Sequence, residues 1–121
     1  MSTPVKVDVD DETRAALSGL AMGDMEVIGE AREMRETWRQ ASGLDPRSFA
    51  LCKIAALVAL DSPPASYLWQ VPNALEAGAT PKDIMGVLKA VAPQVGGPRA
   101  VAAAPEIMVA LGLSLPAGQD I

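Results

Sequence analysis

The chain has 121 residues, a formal net charge of −5, no histidine and one cysteine. Without histidine it cannot build a Ser-His or Cys-His nucleophile pair or a histidine metal site, and the lone Cys52 excludes an intrachain disulfide, a CxxC redox pair and a thiolate zinc site. The length fits one domain that needs neither metal nor disulfide to fold. An acidic balance with no basic cluster argues against a nucleic-acid partner.

The first ten residues are predicted to be a flexible N-terminus. They lack the positive start and the continuous apolar run of a signal peptide. The most apolar stretch, Phe49 to Leu60, is interrupted by Lys53 and is too short to span a bilayer. We therefore expect a cytoplasmic protein with no membrane partner.

The next segment, Asp11 to Ala41, has a broken apolar stripe with charged residues on the remainder. Gly23 is predicted to mark a bend or a break between two helices. The simplest interpretation is an amphipathic helical region whose charges form a solvated face. Its methionines could instead serve an adaptable partner surface.

Abundant alanine and apolar positions at helical spacing predict an all-α fold, a compact antiparallel bundle. The single helical domain is predicted to span residues 11–113, with a C-terminal tail at 114–121. Proline is favoured at the first helical position, so four prolines mark predicted helix starts: Pro46, Pro64, Pro81 and Pro98. Thr80 and Asp83 add a cap and an acid at the third of these starts.

Two further expectations concern the interiors of these helices. The helix from Pro46 to Leu60 is apolar nearly all round, which predicts burial on most faces and a small buried hydrophobe at Cys52. Prolines inside the later helices should each kink or end their helix: Pro72, Pro93 and Pro105.

Three pieces of the chain are informative through their order and spacing: SGLDPR at 42–47, the apolar run at 51–60 and ALEAGATPKDI at 74–84. Together they resemble the carboxymuconolactone decarboxylase family, which includes the alkyl hydroperoxidase D-like proteins. The resemblance implies an all-helical fold and an obligate homo-oligomer, typically a trimer or hexamer. It also implies an active pocket near the subunit interface.

The peroxidase branch of that family carries a glutamate, a Cys-x-x-Cys pair and a histidine. The matching positions here are Leu51, Pro63, Ser66 and Gln70, so none of the four groups is retained. The decarboxylase branch lacks the cysteines but has a histidine at the position of Gln70. Because a dithiol needs two sulfurs and a base that lowers a thiol pKa, a hydroperoxide reductase is the least favoured function.

Several polar and aromatic residues remain as candidates on the corresponding helix. Ser66, Gln70 and Asn73 lie at i, i+4 and i+7 and therefore share one face. We hypothesise that they line a pocket and hydrogen-bond a carbonyl-bearing ligand; the alternative is a solvated polar stripe. Tyr67 and Trp69 are candidate aromatic walls of the pocket, although a tryptophan at helical spacing is more often part of a core.

Lys53 is the one charge inside the apolar helix. If it is buried, its pKa falls and it can act as a base, a carbonyl-capturing amine or a counter-ion to a carboxylate. Alternatively, its stem snorkels to the surface or its ammonium pairs with an acid from the N-terminal helices. Arg47 and Arg99 are weaker candidates for binding a substrate carboxylate.

Two functional hypotheses follow. The first is a divergent, cofactor-free enzyme acting on a small carbonyl, lactone or carboxylate substrate, with a lyase or decarboxylase type of chemistry. Its catalytic residues are predicted to be Ser66, Gln70 and Lys53, with Tyr67, Trp69 and Asn73 binding substrate. The second is a catalytically inactive family member that binds a ligand or serves as an oligomeric interaction protein. Neither hypothesis includes a metal.

Overall fold

The computed structural model describes residues 6–24 and 31–116, and within them it contains six helices and no strand. The helices are α1 (Asp11–Ala21), α2 (Ala31–Ser42), α3 (Pro46–Leu60), α4 (Pro64–Glu76), α5 (Pro81–Val95) and α6 (Gly97–Ala110). The all-α prediction is confirmed. The predictions for the two termini fall partly on residues 1–5 and 117–121, which lie outside the described residues, as do residues 25–30.

Helix starts follow the proline pattern closely. Helices α3, α4 and α5 begin at Pro46, Pro64 and Pro81, and α6 begins at Gly97, one residue before Pro98. Proline's fixed φ suits the first turn, and its missing N–H would have no partner there in any case. The predicted starts are therefore confirmed to within one residue.

Two of these starts also carry side-chain caps. The Asp45 carboxylate accepts a hydrogen bond from the Ser48 backbone N–H at 3.0 Å, before the first turn of α3. At α5, the Thr80 hydroxyl accepts from the Asp83 N–H at 3.1 Å, and the Asp83 carboxylate accepts from the Thr80 N–H at 2.9 Å. This reciprocal capping box satisfies two backbone donors that an uncapped helix start would leave without partners.

The hydrophobic core lies among α3, α4, α5 and α6, which pack against one another. Its largest fully buried side chains come from three of these helices: Ile54, Val58, Tyr67, Val71 and Ile84. Burying an aliphatic side chain of this size contributes about 1.5–3 kcal/mol. No residue of α1, and none of the described side chains of α2, is buried. The fold is therefore held together chiefly by the last four helices.

Helix α3 is covered on one side only, which corrects two expectations. Its buried residues are Ala50, Ile54 and Val58, which share one face at four-residue spacing. Cys52 projects from the opposite side and is exposed, and Leu60 is 74% exposed. The prediction of burial on most faces was wrong because α3 contacts α4, α5 and α6 and yet has its fully buried residues on one face only.

None of the three interior prolines ends its helix. Helices α4, α5 and α6 continue past Pro72, Pro93 and Pro105. Pro72 and Pro93 are exposed and Pro105 is partly exposed, so water can reach the side of the helix where a carbonyl loses its partner. Among the described helices, none combines the length and apolar character needed to cross a membrane.

Candidate functional site

A cleft of about 240 Å³ opens where α2 faces α3 and α4. Its lining residues are Arg35, Glu36 and Arg39 from α2, Pro46, Phe49, Ala50 and Lys53 from α3, and Asn73 and Ala77 from α4. Three of them are cationic and one is a carboxylate. The cleft therefore has positive charge in a chain whose overall formal charge is −5.

Helical spacing brings these charges together. Arg35 and Arg39 are one turn apart on α2, so both side chains face the same way. Lys53 is one turn beyond Phe49 on α3, and its Nζ lies 5.5 Å from the centroid of the Phe49 ring. That distance is within the range of a cation–π contact, which holds the ammonium over an apolar surface.

The position of Lys53 changes its acid–base behaviour. The side chain is half-buried, and burial lowers the pKa of Lys53 below its ordinary value of 10.5 because the charged form loses hydration. The positive charge of Arg35 lowers the same pKa further. The neighbour on α2 that shifts the pKa of Lys53 is thus the cation Arg35. It is not the acidic partner that the sequence analysis left open.

An ion pair lies at the edge of the cleft. Arg39 Nη2 is 2.6 Å from Glu36 Oε1, and the Glu36 side chain is 56% exposed. Gln40 donates a second, longer hydrogen bond to the same carboxylate oxygen at 3.4 Å. Such an exposed pair stabilises the fold little, by about 0–1 kcal/mol. Its geometric consequence is that the Arg39 guanidinium is oriented beside the cleft.

The structure brings two of the six sequence-predicted site residues into the cleft, Lys53 and Asn73. Ser66 and Gln70 are partly exposed on the same face of α4 and are not among the lining residues. Tyr67 is 1% exposed and belongs to the core. The functional roles assigned to these residues remain predictions.

Trp69 lies away from the cleft, against the end of the N-terminal helix. Its indole N–H donates a hydrogen bond to the Met22 carbonyl. Gly23, at a φ of +90°, sits so close that an added Cβ would overlap the Trp69 ring and come within 2.7 Å of the Ala65 carbonyl oxygen. Trp69 therefore fastens the turn after α1 to α4.

Other candidate groups have structural roles or stand apart. Arg47 pairs with the Asp83 carboxylate at 2.7 Å and so links the first turns of α3 and α5. Arg99, at the start of α6, is exposed and not among the residues that line the cleft. Within the part of the chain that the structure describes, no cluster of acids and cysteine is arranged to hold a metal ion.

Sequence reasoning missed four of the polar and aromatic residues that line the cleft: Arg35, Glu36, Arg39 and Phe49. The sequence did contain a sign that these residues share helix faces. Arg35 and Arg39 are four residues apart, as are Phe49 and Lys53. The charges of α2 were interpreted as a solvated face since nothing local to that helix shows which side meets α3.

Comparison with known proteins agrees with the helical frame. A family model described as the carboxymuconolactone decarboxylase family matches residues 30–107. This range includes every residue that lines the cleft. No curated protein and no solved structure gives a significant match to the chain. The family resemblance seen in the sequence is confirmed.

Proposed function

Because the chain belongs to the carboxymuconolactone decarboxylase family, we propose that the cleft is the active site of a cofactor-free enzyme acting on a small carboxylate. The observation that carries the proposal is the grouping of Arg35, Arg39 and Lys53 around one cleft of an otherwise acidic protein. Clustered cations in a partly desolvated site attract an anion more strongly than the same charges in water.

The lining residues divide the binding work. A guanidinium presents two parallel N–H donors that match a carboxylate, and Arg35 is the residue we assign to this contact. Nε and Nη2 of Arg39 already bond the Glu36 carboxylate, so Arg39 contributes its positive charge and its Nη1 donor. The Asn73 amide can donate to a carbonyl oxygen, and Phe49, together with Ala77, supplies apolar contact for the body of the ligand. This set fits a small carboxylate that also carries a carbonyl or lactone group.

The same charges favour lyase chemistry. When a carboxylate leaves as CO₂, its bonding electron pair stays on the neighbouring carbon and is drawn towards an adjacent carbonyl oxygen. A fixed cation beside that oxygen stabilises the developing negative charge without having to reorganise. Lys53 is the cation we assign to this role. Gln70 and Ser66, one and two turns before Asn73 on α4, extend the polar face along which a longer substrate would lie.

A second candidate is a ligand-binding protein without catalysis. It is favoured by one specific observation: all four positions at which the resemblance places the glutamate, thiols and histidine carry other residues, Leu51, Pro63, Ser66 and Gln70. In this case the cleft would bind the carboxylate and release it unchanged. Turnover is what separates the two candidates.

We also propose that the protein self-associates. Two large apolar side chains of α2, Met34 and Trp38, are 47% and 64% exposed, although they lie on the helix that borders the cleft. Apolar groups left in water at this spacing on one helix suit contact with a second copy. Sedimentation at micromolar concentration tests this: a monomer would contradict it.

Binding of phenylacetate, measured by calorimetry, tests the site, with uncharged phenylacetamide as the matched ligand. We expect phenylacetate to bind more tightly, and Arg35→Gln to weaken that binding about tenfold or more because a charged hydrogen bond contributes about 1.5–3 kcal/mol. The matched variant is Arg99→Gln, which removes an exposed arginine outside the cleft.

Equal affinities for the acid and the amide, or equal effects of the two arginine substitutions, would contradict the carboxylate site. Carbon dioxide release from a panel of small oxo acids and carboxylated lactones then separates the two candidates. Release that disappears in Lys53→Met supports the enzyme. Tight binding without release across the panel supports the ligand-binding protein.

A further inference from the structure

Lys53 differs from the other two cations of the cleft in the chemistry open to it. A guanidinium can hold an anion but does not act as a nucleophile in proteins, and Arg35 and Arg39 both end in this group. Lys53 ends in a primary amine, and its Nζ lies 5.5 Å from the centre of the Phe49 ring. Both residues are on α3, across the cleft from the arginines of α2. The cleft thus places one amine and two guanidinium groups in its lining, and one of those groups, that of Arg39, is also paired with Glu36.

Resting on the function proposed above, we propose that the ε-amine of Lys53 forms an imine with the ketone of a 3-oxo carboxylate bound in this cleft. The two features of that substrate class match the two kinds of group. The guanidiniums of α2 bind the carboxylate, and the ketone, two carbons away, meets the amine of α3. Simple carboxylates and lactones would bind without forming this bond.

The attack requires a neutral amine, and the surroundings of Lys53 increase the fraction of lysine in that form relative to an ordinary lysine. The protonated imine then takes the place of the ammonium as the cation that stabilises the developing charge. Burial and the nearby Arg35 charge both lower the pKa of Lys53, and a cationic neighbour in a partly desolvated pocket is a general means of activating a lysine nucleophile. The charged groups that face it from α2 are Arg35, Glu36 and Arg39, whereas the residues lining the cleft from α4, Asn73 and Ala77, are uncharged.

The reaction balances without an oxidant or a cofactor. The amine lone pair of Lys53 bonds to the ketone carbon, and an amine proton passes to the ketone oxygen, which becomes a hydroxyl group. That hydroxyl takes up a second proton from solvent and leaves as water while the nitrogen lone pair forms the C=N bond, which gives a protonated imine. The bond to the carboxylate carbon then breaks, CO₂ departs, and the electron pair moves towards the imine nitrogen to form an enamine. Solvent water protonates the enamine carbon, and hydrolysis returns the free amine and releases a ketone.

Trapping with sodium borohydride in the presence of 3-oxobutanoate tests the proposal on the full-length protein. Reduction of the imine left after CO₂ loss places an isopropyl group on the lysine, which intact-mass analysis and peptide mapping can locate. We expect the adduct on Lys53 in at least tenfold excess over any other lysine. The variant Lys53→Arg retains the positive charge and should lose the adduct.

The matched control is Lys82→Arg, which changes an exposed lysine of α5 outside the cleft and should leave the Lys53 adduct unchanged. Phenylacetate binding is measured on the same samples. An adduct that is absent, or spread evenly over surface lysines, overturns the imine while normal phenylacetate binding leaves the carboxylate site standing. Loss of selectivity for phenylacetate over phenylacetamide in the unmodified protein overturns the site itself, and the imine with it.

Discussion

The four helices α3–α6 and the two flanking helices α1 and α2 differ in what holds them in place. Of the side chains that the structure describes, the first group supplies all the large ones that are fully buried, including Ile54, Tyr67 and Ile84. The flanking group has no buried residue among its described side chains and is tied to the rest by contacts such as the one between Trp69 and Met22. Yet α2 carries two of the three cations of the cleft.

This difference separates stability from binding. Substitutions in the core should change the free energy of unfolding, and substitutions in the flank should change ligand affinity with little effect on the core. An enzyme site commonly lies where one wall is rigid and the other is less tightly packed. If the two regions are as independent as their packing suggests, substitutions in one region should leave the properties of the other unchanged.

The largest effect is expected in the core. Ile54 is 0% exposed, and Ile54→Ala should lower the free energy of unfolding by about 2–5 kcal/mol, because it removes buried surface and leaves a cavity. The matched variant is Leu60→Ala, on the same helix at 74% exposure, which should change it little. Urea denaturation followed by circular dichroism measures both. Similar losses in the two variants would show that α3 is buried more evenly than the structure indicates.

The next effect is expected where the flank meets the core. Gly23→Ala forces a side chain into the left-handed region and against Trp69, and should cost about 1–3 kcal/mol. Gly43→Ala isolates the backbone contribution, since Gly43 also has a positive φ, +70°, but has open space where the Cβ would go. The same denaturation experiment compares them, and a smaller loss in Gly23→Ala than in Gly43→Ala would contradict the close contact.

A smaller loss is expected at the start of α5. Thr80→Ala removes the hydroxyl that accepts from the Asp83 N–H, and should lower the free energy of unfolding by about 1 kcal/mol. Thr37→Ala, an exposed threonine inside α2, is the matched control and should have no unfavourable effect because alanine is the better helix former. A thermal melt of the two variants should show a lower midpoint for Thr80→Ala alone.

The smallest effect concerns pH and the cleft. Since the pKa of Lys53 is lowered below 10.5, the lysine is fully charged at low pH and loses its proton earlier than an ordinary lysine as the pH rises. Phenylacetate affinity should therefore fall, by at most about fivefold for one partly exposed charge, as the pH rises through this lowered pKa. In Lys53→Arg the decline should be absent. An identical decline in both proteins would assign it to another group.

The helix boundaries of the fold could be predicted well from sequence. Pro46, Pro64 and Pro81 mark helix starts through a local steric preference, and the cap at Thr80 is also local, so no knowledge of the packing is needed. The exposure of Cys52 could not be predicted in this way. A helix that is apolar on several faces gives no local sign of which face its neighbours cover.

The candidate site could be predicted less well from the sequence, because the sequence of one helix does not show which of its faces a neighbouring helix covers. Lys53 stood out because it interrupts an apolar run, and Asn73 because it shares a face with other polar residues. Arg35 and Arg39 did not, because charged residues on an amphipathic helix normally face water. Only the position of α2 relative to α3 shows that these two arginines and the lysine line the same cleft.

Because Trp69 contacts the turn after α1, its intrinsic fluorescence can report whether that turn is docked on α4. The chain has two tryptophans, and Trp38, at 64% exposure, reports mainly on solvent. In a Trp38→Phe background the remaining indole emits from beside Met22 and Gly23, where it is hydrogen-bonded to the Met22 carbonyl. Detachment of the N-terminal helix from α4 would then appear as a red shift in emission, so undocking of the flank could be timed separately from unfolding of the core.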